Sequence, residues 1–294
     1  MHGTPFTGYY TDFIQWLQRL GYSMTTVTGY KRQLETFLTW LEENHIAELS
    51  EVKQSDIEAY SEYLHKRKNK QRSGALSSCY IQSHINIIRL LSRYLELTGE
   101  QKLFKGKIYI EQGADNPRSI LTQPEIKQLY EVTDNSALGY RDRAMLALYY
   151  GCGLRYGEGK RLQPDHFDYN KQLLYVKPGK NYQSRYVPMS RKVIQDLKEY
   201  EQYGRPVFEK DHSESFLLNR AGNAPNSTGL GKRLKYLCET AGIQKQICLH
   251  SLRHSIATHF LQQGMSLEHI SKFLGHTSLD STQIYTRIAE ELEV

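Results

Sequence analysis

Residues 249–261 have the sequence Leu-His-Ser-Leu-Arg-His-Ser-Ile-Ala-Thr-His-Phe-Leu, which combines an apolar repeat with three histidines and an arginine. The apolar side chains recur every three or four residues, so the segment is predicted to form an amphipathic helix. His250 and Arg253 are three residues apart and therefore share one helical face. We interpret His254 and His259 as structural residues of the same helix. The segment should thus hold an imidazole and a guanidinium side by side, next to a core-facing stripe.

A second helix and a turn should follow this segment. A helix is expected to begin near Ser266, and Gly275 is placed to end it. Ser278 can cap the next helix, so His276 is predicted to lie at a helix junction. Tyr285 then lies about two turns beyond that cap.

Two upstream segments also carry polar side chains in a defined local structure. Residues 149–158 have the sequence Tyr-Tyr-Gly-Cys-Gly-Leu-Arg-Tyr-Gly-Glu, in which Arg155 and Glu158 are three residues apart. Residues 173–189 predict two short strands, with Pro-Gly-Lys-Asn at 178–181 as the turn between them. Lys180 is therefore predicted to lie on a turn.

The periodicity of the whole chain predicts two domains and a fold that is mainly α with a small antiparallel sheet. In the first hundred residues, helices are expected at 10–20, 27–41, from about 57 onward after Asp56, and at 78–97. The periodicity fades from 99 to 117, which is typical of a linker. Thr122 and Glu125 then form a predicted capping box that opens a new helix. We predict a helical domain over 1–105, a linker over 106–117 and a second domain over 118–294.

The composition is that of an ordinary soluble chain. Of its 294 residues 39% are hydrophobic and 24% charged, which excludes collagen-like and wholly disordered proteins. The sequence contains no uncharged apolar stretch of about 18 residues and no signal peptide pattern, so we expect a cytoplasmic protein without membrane contact. Four cysteines lie far apart, which argues against a zinc site or a disulfide framework and favours buried thiols.

The positive charge is unevenly distributed. The formal net charge is +6, yet residues 1–100 contain 11 Lys and Arg against 11 Asp and Glu, so the surplus lies after residue 100. The densest basic run nevertheless lies in the first domain and comprises Lys66, Arg67, Lys68, Lys70 and Arg72. Two interpretations of this run remain open. It is either a solvated helix end, which cations favour, or a contact for DNA phosphates.

Taken together, these segments resemble the active-site pattern of the tyrosine recombinases, the phage-integrase and Xer group. Five motifs occur in the family's order: Gly-Leu-Arg-x-x-Glu at 153–158, the lysine hairpin at 179–188, His-Ser-Leu-Arg-His at 250–254, Leu-Gly-His at 274–276, and Tyr285. The first hundred residues are similar to the family's helical core-binding (SAM-like) domain only in size, position and helix content. The second domain is thereby expected to be the catalytic one.

The resemblance implies a site-specific DNA recombinase that acts in integration, excision or dimer resolution. Its catalytic residues are expected to be Arg155, Lys180, His250, Arg253, His276 and Tyr285, with Glu158 orienting Arg155. The phenol of Tyr285 would attack the phosphorus, and the two guanidiniums would hold its non-bridging oxygens. Lys180 would protonate the leaving 5′-oxygen. This scheme requires no metal and no cofactor.

The expected partner is a double-stranded DNA recombination site, held by a homotetramer or by a heterotetramer with a paralogue, on the nucleoid. Two other functions remain open at this point, a type IB topoisomerase and a catalytically silent DNA-binding regulator. One local departure from the family is also visible. Gly159, Lys160 and Arg161 follow Glu158, where relatives usually continue with apolar residues. We expect either an irregular helix there or an added DNA contact.

Overall fold

A computed structural model describes residues 5–68, 74–100, 102–103, 119–179 and 184–275. The chain divides into two compact units, Met1–Asn116 and Pro117–Val294. The described residues are mostly helical and contain one three-stranded antiparallel sheet, which confirms the predicted fold class. The predicted linker lies outside the described residues. Across the described ranges, no helix is both long enough and apolar enough to cross a membrane.

The N-terminal unit is built from amphipathic helices around one apolar core. Its described α-helices are α1 (Thr7–Arg19), α2 (Met24–Glu43), α3 (Gln54–Lys66) and α4 (Ser78–Leu97). The predicted start of the third helix is wrong by three residues. The Asp56 carboxylate accepts a hydrogen bond from the Lys53 amide at 2.8 Å, so it caps the helix from inside the first turn.

The C-terminal unit holds the segments that carry the predicted chemistry. Its elements are α5 (Gln123–Glu131), α6 (Ala137–Leu146), α7 (Tyr156–Lys160), β1 (Phe167–Asp168), β2 (Leu173–Val176), β3 (Arg185–Pro188), α8 (Arg191–Glu199), α9 (Arg205–Phe208), α10 (Ser227–Thr240), α11 (Leu249–Gln262) and α12 (Leu267–Leu274). The predicted capping box is confirmed, because the Thr122 hydroxyl accepts from the Glu125 amide and the Glu125 carboxylate accepts from the Thr122 amide.

The sheet has the order β1-β2-β3, and β1 was not predicted. Val176 pairs with Arg185 and Leu174 pairs with Val187 across the antiparallel β2–β3 ladder. Successive side chains of a strand point to opposite faces. Tyr186 is 64% exposed and Val187 is buried, so Arg185 lies on the same side of the strand as the core residue.

Candidate active site

The first two turns of α11 carry two of the predicted site residues at different depths. His250 is exposed, whereas Arg253 is completely buried. The His250 ring stands edge-on to the ring of His254, with centroids 4.4 Å apart. One helical face therefore runs from the surface at His250 into the interior at Arg253.

Arg253 joins three parts of the C-terminal unit. Its guanidinium donates to the Gly153 carbonyl at 2.6 Å and to the Leu274 carbonyl at 2.8 Å. One of its nitrogens also lies 3.8 Å from the Glu158 carboxylate. A buried charge is costly unless it is paired and hydrogen-bonded, and these contacts supply both. They tie α11 to the loop before α7 and to the last residue of α12.

Arg155 lies at the N-cap of α7 and turns back toward the same place. Its amide donates to Glu158 at 2.8 Å, and its guanidinium donates to the other oxygen of that carboxylate at 2.9 Å. The guanidinium also reaches the carbonyls of Leu274 and Gly275, at 3.4 and 3.3 Å. Glu158 therefore holds the Arg155 side chain against the end of α12.

A third arginine, for which no role was predicted from the sequence, completes the cluster. Arg185 donates to both Glu158 oxygens, at 2.9 and 3.0 Å, and its Nε donates to the Phe273 carbonyl at 3.0 Å. Its side chain is 9% exposed. The signal that could have found it is strand alternation. Arg185 occupies a core-facing position of β3, where a cation needs a buried carboxylate partner.

Glu158 is the single carboxylate among these three guanidiniums in the described residues. Burial raises the pKa of Glu158, but the hydrogen bonds and charge of Arg185, the Arg155 amide and the charge of Arg253 outweigh it and hold the pKa at about 2. The carboxylate is thus ionised at neutral pH. Three positive charges around one negative charge leave a positive surplus, which suits an anion such as a phosphodiester.

Two glycines permit the close approach of backbone segments in this cluster. Gly153 has φ +58°, and a Cβ there would lie 2.9 Å from a methyl group of Leu274. Gly275 ends α12 with φ +65°, as predicted, and a Cβ there would lie 2.8 Å from the Arg185 guanidinium. Positive φ and missing space both favour glycine.

The departure after Glu158 has a packing explanation. A Cβ on Gly159 would lie 2.6 Å from the Tyr149 hydroxyl, so this position has no room for a larger residue. The α7 helix is only five residues long and ends at Lys160. Lys160 and Arg161 are exposed.

The histidines within α11 that we interpreted as structural are both buried. The His259 ring is hydrogen-bonded to the Tyr150 hydroxyl at 3.0 Å, and burial lowers the pKa of His259. The expectation of buried thiols is half wrong. Cys152 and Cys238 are buried, but Cys79 and Cys248 are exposed because they lie at or next to helix N-termini on the surface.

Several predicted residues lie outside the described ranges, namely Lys180, His276, Tyr285, Lys70 and Arg72. The described part of the basic run is the end of α3 and the two residues after it. Lys66 is exposed and pairs with Glu62 at 3.3 Å. Arg67 is half-buried, and its charge adds to burial in lowering the pKa of His84 to about 4.

Comparisons with known proteins identify the family of the chain. Residues 119–291 match the phage integrase family, and residues 11–79 match the phage integrase N-terminal SAM-like domain. The chain is 30% identical over 287 residues to the tyrosine recombinase XerC of Anoxybacillus flavithermus, covering 95% of this chain and 92% of the relative. It is 31% identical over 291 residues to XerC of Oceanobacillus iheyensis, covering 96% and 92%.

Among solved structures, the fold is similar to that of the XerH site-specific recombinase bound to a palindromic difH substrate in a post-cleavage complex. The TM-score is 0.73 at 19% sequence identity, with 92% of this chain and 78% of that chain covered.

Proposed function

The chain belongs to the phage integrase family and is a tyrosine site-specific recombinase, and on that premise we propose that Tyr285 cuts DNA as a covalent nucleophile. Two relatives that carry the name tyrosine recombinase XerC match 95% and 96% of the chain. This favours recombination over the topoisomerase and the silent regulator that the sequence left open.

The observation that carries the proposal is the convergence of Arg155 and Arg253 on Glu158, at 2.9 and 3.8 Å. Cleavage of a phosphodiester by a tyrosine adds negative charge to the non-bridging oxygens in the transition state. A planar guanidinium that is held in place before the reaction, as that of Arg155 is, stabilises such charge without reorganising. Glu158 and the carbonyls at the end of α12 supply that support for Arg155.

In the proposed reaction, the Tyr285 oxygen bonds to the scissile phosphorus as the bond from phosphorus to the 5′-oxygen breaks. The phenol loses its proton, for which His250 is the candidate acceptor, and Lys180 donates a proton to the departing 5′-oxygen. His276 donates a hydrogen bond to the phosphate. The products are a 3′-phosphotyrosine and a free 5′-hydroxyl. Attack by the 5′-hydroxyl of another strand reverses the step and forms a Holliday junction without ATP.

The proposed partners are two double-stranded DNA sites and further recombinase protomers. Four protomers, identical or shared with a paralogue, hold two sites on the nucleoid. The basic run of Lys66, Arg67, Lys68, Lys70 and Arg72 contacts phosphates. The reaction serves integration, excision or dimer resolution. The recombination site can be located by mapping where the protein cleaves the genomic DNA that flanks its own coding region.

The test is a duplex that carries the mapped site with a nick beside the cleavage position, which traps the covalent adduct. Tyr285→Phe should abolish the adduct and leave the Kd for the duplex unchanged, because only the nucleophilic oxygen is removed. Tyr236→Phe, at an exposed tyrosine of α10, is the control and should form adduct at the normal rate. An undiminished adduct from Tyr285→Phe would move the nucleophile elsewhere.

A second arm separates recombination from topoisomerase activity. The wild-type protein should exchange strands between two duplexes that carry the mapped site. Relaxation of any supercoiled plasmid without that site, together with no exchange between cognate duplexes, would contradict the proposal.

A further inference from the structure

Arg185 contacts both Glu158, which holds Arg155, and the end of α12. Its two terminal nitrogens grip both oxygens of Glu158, at 2.9 and 3.0 Å, and its Nε holds the Phe273 carbonyl at 3.0 Å. The contact with Glu158 links Arg185 to Arg155, because the same Glu158 oxygen accepts from both guanidiniums. The contact with Phe273 links Arg185 to the last turn of α12, where a Cβ on Gly275 would lie 2.8 Å from the Arg185 guanidinium.

These contacts fix the rotamer of Glu158. A carboxylate held by a parallel pair of N–H donors has one orientation, so its remaining contacts with Arg155 are set by that fork. A lysine in the same position would keep the charge but lose the fork, and it could not bond Glu158 and Phe273 with the same geometry. The role therefore depends on the guanidinium shape as well as on its charge.

The contact with α12 fixes a chain end. The carbonyls of Phe273, Leu274 and Gly275 accept from Arg185, Arg253 and Arg155 in turn. His276 is the next residue along the chain. The three arginines that bond these carbonyls therefore also hold Gly275, the residue that precedes His276 in the sequence.

We infer that Arg185 is a positioning residue for DNA cleavage. Through Glu158 it orients the Arg155 guanidinium, and through the Phe273 carbonyl it holds the end of α12, after which His276 follows in the sequence. The inference rests on the proposed function. It assigns Arg185 no contact with DNA.

The experiment measures two quantities on the nicked duplex, the rate of adduct formation at saturating DNA and the Kd. The variants are Arg185→Gln and Arg185→Lys. The matched control is Arg205→Gln, because Arg205 is also nearly buried and also bonds a glutamate and main-chain carbonyls, at Glu209, Ser213 and Ser215. Melting temperature by far-UV circular dichroism identifies the folded variants. Arg185→Lys keeps the buried charge and serves if Arg185→Gln does not fold.

Arg185→Gln should lower the rate about 10- to 100-fold, because misplacing reacting groups by about 1 Å can cost about 100-fold. The Kd should change less than about threefold, and Arg185→Lys should recover only part of the rate. In the double variant with Glu158→Gln, the two losses should be less than multiplicative, because both act through one carboxylate.

Three results would overturn the inference: a wild-type rate in folded Arg185→Gln or Arg185→Lys, an equal loss in Arg205→Gln, or strictly multiplicative losses in the double variant. No adduct from the wild-type protein would instead overturn the proposed function, and the inference with it.

Discussion

Glu158 is the residue on which the organisation of the arginine cluster depends. It is nearly buried, it contacts Arg155, Arg185 and Arg253, and its pKa is about 2. In an unfolded chain a glutamate titrates near pH 4.3, about two units higher. A pKa that is lower in the folded state means that ionised Glu158 stabilises the fold. That stabilisation is fully present above the unfolded pKa and is lost as the pH falls through the folded pKa.

We therefore expect the stability lost in Glu158→Gln to depend on pH. The loss in free energy of unfolding relative to the wild type should be larger at pH 6 than at pH 2, by roughly 2–3 kcal/mol. Urea denaturation from pH 2 to 6, followed by far-UV circular dichroism, measures this difference. Tryptophan fluorescence is less suited, because Trp16 and Trp40 both lie in the N-terminal unit.

The control for this measurement is Glu131→Gln, whose carboxylate is exposed and pairs with Lys127 across a helical turn. Exposed pairs contribute little, so its effect should be small throughout. A difference for Glu158→Gln that stays constant from pH 2 to 6 would show that the carboxylate does not titrate with a lowered pKa.

At the level of elements, the end of α12 is where the cluster and the secondary structure meet. A helix end leaves carbonyls without helical partners. Here three successive carbonyls, of Phe273, Leu274 and Gly275, accept from arginine side chains. Cations at a helix C-terminus also interact favourably with its dipole. The arginines thus stabilise the helix end while the helix end holds the arginines.

Gly275→Ala should disturb this arrangement in two ways. The residue has φ +65°, which strains alanine, and the added Cβ would meet the Arg185 guanidinium at 2.8 Å. Gly264→Ala is the matched control, because Gly264 has φ +83° but no atom of the described residues lies within 4 Å of a Cβ there. The control should lose about 1–2 kcal/mol of stability from backbone strain alone.

Gly275→Ala should lose more stability than Gly264→Ala and should also slow adduct formation at saturating DNA, whereas Gly264→Ala should keep the wild-type rate. Thermal melts and the nicked-duplex assay measure the two effects. Equal losses in both variants would mean that Arg185 yields to the added methyl group without consequence.

For the whole molecule, DNA binding is expected to depend more on where the positive charges lie than on the net charge. The first hundred residues have no net charge, yet they contain five cations within residues 66–72. DNA affinity that comes from phosphate contacts falls with salt, with a slope set by the number of contacts. The basic run should therefore dominate the salt dependence contributed by the N-terminal unit.

Replacing Lys66, Arg67, Lys68, Lys70 and Arg72 by glutamine should weaken DNA binding and flatten the slope of log Kd against log salt, by up to about 4–5 if every cation meets a phosphate. Titrations at four or more salt concentrations measure this slope. Lys66→Gln, in the basic run, and Lys127→Gln, outside it, form a matched pair. Both lysines are about equally exposed, and each pairs with a glutamate on its own helix. An unchanged slope in the fivefold variant would support the solvated helix end.

The amino-acid sequence by itself determined the features that depend on neighbours within a few residues. The helices α2, α4 and α11, the capping box at Thr122 and the αL end at Gly275 follow from apolar periodicity, cap chemistry and glycine, which act over one or two helical turns. The spacing of Arg155 and Glu158 also lies within this range. The family resemblance came from short motifs of the same kind.

Only the tertiary structure decided how distant residues meet. Arg155 and Gly275 are 120 residues apart in sequence, and Arg185 and Phe273 are 88 apart, yet each pair shares a hydrogen bond. Neither periodicity nor spacing encodes such contacts, because they arise when the whole core packs and each buried cation must find an acceptor. For the same reason the sequence predicted Arg253 as a site residue but not its complete burial, and it left Arg185 without a role.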